Sequence, residues 1–322
     1  MTDIIDITLD DRQYQVSNSW SALTPEQYLH LCNNLALMAD GKIAPMRVKV
    51  EYLADVLYVN IKHIRNKDYL CNLLIVAEKI NFMFNISYPN NDEDLQGLDK
   101  DTRRLLKKTD PAKLDIPIAR ALSRKDYRYT IDACFCSQLL PTIKIGMTKY
   151  YGYKISTSYN MLTCSLTALQ YIDARNLLDA PESLPLMAAI LYYPGQYSSD
   201  GAHALAETFK SLSPSILLAI SLNFTAFNNY LLTKTEFSIL TMVNTDRNPL
   251  IATGALESLY NLSADGYGDV SAVENMDVIK YLTILRKKLI DCVHSLAGVE
   301  MKITDIAKNT GLPLSIINKI LS

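Results

Sequence analysis

Two stretches of this chain are written as the same helix start. Residues 23–28 read Leu-Thr-Pro-Glu-Gln-Tyr, and residues 166–171 read Leu-Thr-Ala-Leu-Gln-Tyr. A threonine three residues before a glutamine is typical of a capping box, in which each side chain accepts a hydrogen bond from the other residue's amide. The flanking leucine and tyrosine occupy the positions of a hydrophobic staple. The pattern therefore predicts helices that begin at Thr24 and Thr167.

The composition predicts a folded chain with a sizeable core. Of 322 residues, 49% are hydrophobic and 20% are charged, which fits one large domain or two ordinary ones. The 32 basic and 34 acidic side chains leave a net charge of −2. No overall positive field therefore attracts nucleic acid or an anionic membrane, and any such binding has to be local.

Hydrophobic periodicity predicts a mainly α-helical fold of one or more multi-helical domains, with a small N-terminal β-hairpin and a minor central sheet. The hairpin is predicted from apolar residues that alternate with polar ones on both sides of Asp10 and Asp11. The domain prediction has four parts: residues 1–84, a hairpin and N-terminal helical layer; 85–126, an exposed loop or insertion; 127–262, a central helical region; and 270–322, a long helix followed by a helix-turn-helix-like hairpin.

Within these parts the spacing of apolar residues predicts individual elements. Leu70, Leu73, Leu74, Ala77 and Ile80 are expected on one buried helix face. Glycines near residue 266 predict a flexible linker over 261–269. The predicted helices span about 24–39, 45–59, 67–84, 167–178, 184–193, 202–210, 214–232 and 276–296, and the predicted strands span 127–132 and 142–145.

The sequence indicates a soluble, reduced protein of the cytoplasm. Its N-terminus lacks the basic start and apolar run of a signal peptide. Apolar stretches such as 184–193 are shorter than the roughly 20 residues that cross a bilayer, so we expect no membrane association. The cysteines lack the dense spacing of a disulfide scaffold and are expected in the core. They are Cys32, Cys71, Cys134, Cys136, Cys164 and Cys292.

No pattern of catalytic, cofactor-binding or metal-binding residues is present, and we expect that the protein is not an enzyme. The four histidines, His30, His63, His203 and His294, lie far apart and outside any ligand or triad motif. No glycine-rich loop has the strand and helix context of a nucleotide site. Between residues 101 and 128 nine basic residues outnumber four acidic ones, which we interpret as ordinary surface charge.

The last twenty residues resemble a helix-turn-helix. Ala307 is small where two helices would cross, Gly311 suits the turn, and Leu312, Ile317 and Ile320 have the spacing that locks a second helix. A plain helical hairpin used for packing fits the same residues, and we favour it because one lysine on the second helix neutralises little phosphate. In the DNA-binding alternative, the contact residues are Lys308, Ser315, Asn318 and Lys319.

Three segments carry a resemblance to a family of phage and prophage proteins of Bacteroides-type bacteria. Residues 20–35 follow a short hairpin with Trp20 and the first capped start, and residues 166–180 and 186–194 are similar to that family's central part. The resemblance implies a non-enzymatic virion component or a tail-assembly chaperone-like protein, located in the host cytoplasm or in the particle. Its implied partners are other phage structural or assembly proteins. The C-terminal segment lies outside the resemblance and keeps a DNA-binding regulator or packaging factor as the alternative.

Overall fold

The computed structural model describes residues 4–9, 12–87, 99–101, 104, 128–242 and 256–322. The fold is mainly α-helical with a small N-terminal β-hairpin, as predicted. The predicted loop or insertion at 85–126 lies almost entirely outside the described residues. The chain forms two compact units: unit 1 comprises Met1–Ala22 and Leu37–Ala133, and unit 2 comprises Leu23–Ala36 and Cys134–Ser322.

The elements of the described residues follow the predicted periodicity closely. The helices are α1 (Pro25–Ala39), α2 (Pro45–Leu57), α3 (Lys67–Lys79), α4 (Ala168–Asn176), α5 (Leu184–Leu191), α6 (Ser199–Phe209), α7 (Pro214–Lys234), α8 (Leu256–Ala264), α9 (Val270–Glu274), α10 (Val278–Gly298), α11 (Ile303–Thr310) and α12 (Leu314–Leu321). The strands are β1 (Ile4–Leu9), β2 (Arg12–Ser17), β3 (Phe84–Ser87), β4 (Arg128–Ile131), β5 (Thr142–Ile145), β6 (Thr148–Tyr151), β7 (Ile155–Ser156) and β8 (Thr163–Cys164).

The strands form separate antiparallel pairs and no larger sheet within the described residues. β1 pairs with β2, β5 turns at Gly146 into β6, and β7 pairs with β8. The positive φ of Gly146, 57°, is the left-handed conformation that a tight hairpin turn requires. The predicted strands at 127–132 and 142–145 are therefore confirmed, but they belong to different pairs.

Two predicted boundaries are wrong. The helix expected over 67–84 ends at Lys79, and residues from Phe84 onward pair as β3 with β4. That pairing joins segments more than 40 residues apart, so local periodicity does not reveal it. The linker expected over 261–269 is also too long, because α8 continues to Ala264 and only then gives way to Gly266 in a left-handed conformation.

In unit 1, Trp20 holds a small aromatic core together. Its Nε1 donates to the Asp132 carbonyl oxygen at 2.6 Å, and its ring meets Phe82 edge-on at 5.1 Å. Tyr52 of α2 also meets Phe82 edge-on, and its hydroxyl donates to the Ser17 carbonyl oxygen at 2.8 Å. Aromatic rings favour edge-on contacts with one another, and the buried polar groups of Trp and Tyr need hydrogen-bond partners such as these carbonyl oxygens. The hairpin, α2 and β4 are thus joined through aromatic side chains.

In unit 2, α7 is the central helix. Charged residues are absent from it until Lys234, and eleven of its residues are buried, as expected of a core helix. Its buried residues include two amides, Asn223 and Asn228. Asn223 donates to the Ser137 carbonyl oxygen and accepts from the Leu139 amide, each at 2.8 Å. With 21 residues, α7 is by length and composition apolar enough to cross a membrane, contrary to the expectation that the apolar stretches are too short. Its side chains are mostly buried within unit 2, as in a core helix.

The two predicted capping boxes are both present. Gln27 donates its amide to Thr24 Oγ1 at 3.2 Å, and Thr24 donates its amide to Gln27 Oε1 at 3.0 Å. At the second start the two corresponding bonds between Thr167 and Gln170 are each 3.2 Å. The predicted helix starts are therefore confirmed at the level of individual hydrogen bonds.

Candidate functional site

All four candidate DNA contacts are exposed at the end of unit 2. Lys308 lies on α11, and Ser315, Asn318 and Lys319 lie on α12. The predicted hairpin is thus confirmed as structure, with both of its helices in place. Whether the four side chains contact nucleic acid stays a prediction.

The turn between α11 and α12 is three residues long and is held by backbone and hydroxyl bonds. Gly311 adopts a φ of 71° and donates its amide to the Ala307 carbonyl oxygen at 2.8 Å. Thr310 Oγ1 donates to the Ile306 carbonyl oxygen at 2.8 Å and accepts from the Leu312 amide at 3.3 Å. A side chain at position 311 would be strained, because non-glycine residues rarely adopt this φ.

A small core fastens this hairpin to the long helix α10. Val293 of α10 is buried together with Ile306, Leu312 and Ile317, and partly buried apolar residues surround them. Of the three residues predicted to lock the second helix, Leu312 and Ile317 are in this core, and Ile320 packs against it. The hairpin therefore has a fixed position against α10.

A second feature, in unit 1, is not among the features predicted from the sequence. Helix α3 buries Leu73 and Ala77, but it also exposes Cys71, Leu74 (43%) and Ile75 (56%) on its other side. We call these three residues the outer face of α3. The expectation that Leu74 belongs to the buried face is wrong. The signal was present in the sequence, because residues 71, 74 and 75 have the i, i+3, i+4 spacing of a second helix face.

The outer face of α3 adjoins an apolar groove. The groove has a volume of about 260 Å³, and Ile75 belongs to both features. β1, α2 and α3 contribute its walls. The residues that line it are Ile7, Thr8, Leu53, Leu57, Tyr69, Asn72, Leu73, Ile75 and Val76.

In unit 2, a carboxylate binds two hydroxyls beside a smaller cavity. Asp173 Oδ2 accepts from Tyr197 and from Ser199, each at 2.6 Å. Burial first, and then the hydrogen bond and charge of Asp173, raise the pKa of Tyr197 above its ordinary value. Because Ser199 donates directly to a carboxylate and begins α6, we interpret the cluster as a link between α4 and the positive end of α6.

A larger cavity of about 650 Å³ also lies in unit 2, where the C-terminal end of α7 faces α10. Its charged wall is an ion pair, with Arg286 Nη2 2.9 Å from Glu236 Oε2. Tyr230 and Phe237 supply aromatic wall, and Met161 lies at the rim with 66% of its surface exposed. The lining therefore mixes this ion pair, Lys234 and three threonines with apolar and aromatic side chains.

Metal and thiol chemistry has little support among the described residues. They contain no group of three or more side chains placed to hold a metal ion. The cysteine prediction is partly wrong: Cys32 and Cys164 are buried, whereas Cys71 and Cys292 are exposed. Burial raises the pKa of the Cys32 and Cys164 thiols to about 12.

No protein-family model, curated protein or solved structure matches this chain. The phage family therefore rests on the sequence resemblance alone.

Proposed function

We propose that this chain is a non-enzymatic phage virion component or assembly protein, similar to a tail-assembly chaperone, that acts by protein–protein interaction. Its partners would be phage structural or assembly proteins, met in the host cytoplasm or in the particle. The resemblance at residues 20–35 and 166–194 supports the phage context. The observation that carries protein binding is the outer face of α3.

The physical argument starts from the cost of exposed apolar surface. Leu74 and Ile75 are neighbouring apolar side chains that are exposed to solvent, although α3 also has a separate buried face. Each Å² of apolar surface that a partner covers stabilises a complex by roughly 25 cal/mol. Contiguous exposed apolar patches larger than a few hundred Å² typically mark interaction sites on a folded protein. The outer face of α3 together with the adjoining groove is the apolar surface that we propose for this role.

The adjoining groove defines what kind of partner segment fits. It is continuous with the outer face through Ile75 and is walled mainly by aliphatic side chains such as Leu57 and Val76. An amphipathic helix or strand with neighbouring apolar side chains would insert one of them there and cover Leu74 with another. Anchors in a groove of this kind are a common form of peptide recognition.

The test combines identification of the partner with a change to this surface. After induction of the phage, tagged protein is purified from assembly intermediates and from virions, and co-purifying proteins are identified by mass spectrometry. We expect an identified head or tail protein with the unmodified chain and at least a tenfold loss with Leu74→Gln/Ile75→Gln.

Lys67→Gln/Lys79→Gln is the matched control, because it changes two exposed residues of the same helix. It should retain the partner, and thermal unfolding should show that both variants are folded. Absence of the protein from intermediates and virions, with no head or tail protein bound, would overturn the proposal. If the outer-face variant and the control captured equal amounts of the partner, the outer face of α3 would not be the binding surface.

A further inference from the structure

The C-terminal hairpin has the dimensions of a DNA-binding helix-turn-helix. α11 and α12 are eight residues each, and three residues separate them. In this motif two helices are joined by a turn of three to four residues that often contains glycine, and the second helix enters the major groove. The three-residue turn, with Gly311 in the left-handed conformation, fits this description, and the buried Leu312 holds the turn against the core.

The exposed face of α12 has the chemistry that reads base edges. While Ile317 is buried, Ser315, Asn318 and Lys319 are exposed, and Leu314 is 48% exposed at the start of the helix. In the major groove an amide recognises adenine, an ammonium recognises guanine, a hydroxyl recognises either, and an apolar group contacts the thymine methyl. No residue of α12 is acidic, so nothing on the helix repels phosphate.

The charge around the hairpin complements a duplex. Residues 278–322 contain seven basic and three acidic side chains, in a chain whose net charge is −2. Two of the seven, Arg286 and Lys288, form ion pairs with Glu236 and Asp265, which leaves five basic side chains for a duplex. The basic residues come from α10, from Lys302 at the start of α11, and from both helices of the hairpin. In the part of the chain that the structure describes, Lys308 and Lys319 form no ion pair and remain available for phosphate.

From these observations we infer that α11 and α12 bind duplex DNA, with α12 in the major groove. Ser315 and Asn318 contact base edges there, while Lys308 and Lys319 neutralise phosphates. The sequence alone favoured a packing hairpin because α12 carries a single lysine. The structure adds the exposed polar face of α12, which the packing of the hairpin on α10 does not use. This inference stands apart from the proposed protein-binding surface of α3.

Fluorescence anisotropy of the full chain with a labelled 20-base-pair duplex of mixed sequence is the direct test. Binding should be measurable at 25 mM salt and should weaken linearly on a log–log plot of affinity against salt, because phosphate contacts release counterions. Lys308→Ala/Lys319→Ala should lower affinity at least tenfold at 50 mM salt and reduce the slope by about two. The matched control, Lys62→Ala/Lys67→Ala, removes two exposed lysines of unit 1 and should change neither.

Base contacts are tested with a duplex selected from a random pool. Asn318→Ala should lower affinity for the selected duplex at least fivefold and leave affinity for a scrambled duplex unchanged. Three results would each overturn the inference: no duplex binding at 25 mM salt, equal losses in the two lysine pairs, or equal binding to the single strand. Circular dichroism must show that every variant is folded.

Discussion

At the first capped start the Tyr28 hydroxyl donates to the backbone oxygen of Ala219 at 2.7 Å, whereas at the second the Tyr171 hydroxyl donates to the side-chain oxygen of Asn228 at 2.7 Å. Both acceptors belong to α7, and both tyrosines are fully buried. Two helices with the same local start are therefore fastened to one central helix through different chemical groups.

The glutamines of the two boxes differ in the same way. Gln27 is half-buried and serves its cap, but Gln170 is buried and also donates through Nε2 to the Ile190 carbonyl oxygen at 3.3 Å. The backbone on either side of Thr167 is bound as well. Ala168 donates its amide to the Met276 carbonyl oxygen at 2.8 Å, and the Leu166 carbonyl oxygen accepts from the Val278 amide at 3.0 Å. An identical capping motif therefore sets where a helix begins, but not how many hydrogen bonds join that start to the core.

The largest expected effect is common to both starts. Tyr28→Ala and Tyr171→Ala should each lower the free energy of unfolding by about 3–5 kcal/mol, because each removes a fully buried aromatic ring. Urea denaturation followed by circular dichroism measures this. A loss below about 1 kcal/mol at either site would show that the two tyrosines do not hold equivalent places in the core.

Alkaline pH should lower the free energy of unfolding through one buried thiol near each start. Burial raises the pKa of Cys32, within α1, and of Cys164, just before the second start, from 9.0 to about 12. The unfolded chain loses these protons first, so this stability is complete below about pH 9 and is lost as pH rises toward 12. The free energy of unfolding should fall between pH 8 and 10.5, less steeply in Cys32→Ala and Cys164→Ala than in Cys71→Ala, an exposed control. Equal slopes in all three would contradict the assignment.

Removing only the tyrosine hydroxyls should lower the free energy of unfolding by different amounts at the two starts. Tyr171→Phe leaves the Asn228 side-chain oxygen buried without this donor, which should cost about 1–3 kcal/mol. Tyr28→Phe should cost about 1 kcal/mol or less, because the Ala219 carbonyl lies inside α7 and keeps its helical donor. Thermal unfolding of the two variants side by side gives the difference, and a reversed order would refute the role assigned to Asn228.

The glutamines should differ in the same direction. Gln170→Ala removes a cap and the bond to Ile190, whereas Gln27→Ala removes a cap alone. We expect Gln170→Ala to cost about 1 kcal/mol more in urea denaturation. Similar costs would mean that the bond to Ile190 adds nothing.

The smallest effect is expected at Asn33 and Asn176, each of which follows the tyrosine of a capped start by five residues. Both are exposed, so replacing either with alanine should change the free energy of unfolding by no more than about 0.5 kcal/mol in urea denaturation. A larger loss at both sites would show that the matching asparagines contribute to the two helix starts.

The C-terminal hairpin could be predicted from the sequence, whereas the outer face of α3 could not. Gly311 and the spacing of Leu312 and Ile317 predicted the C-terminal hairpin correctly, because a turn and two short helices are specified by neighbouring residues. The outer face of α3 was missed although its spacing is visible. Leu74 is apolar and next to a buried position, and only the packed neighbours decide which of two adjacent apolar stripes is covered.

The sequence specifies the features that depend on residues close together in the chain: both capping boxes, the N-terminal hairpin, and the turn at Gly311. Each depends on hydrogen bonds or backbone conformations of nearby residues. The tertiary structure decided the rest. The end of α3, the pairing of β3 with β4, and the contacts of Tyr28 and Tyr171 with α7 join residues that are far apart in the chain. Such contacts depend on which surfaces pack together, and no local pattern specifies that choice.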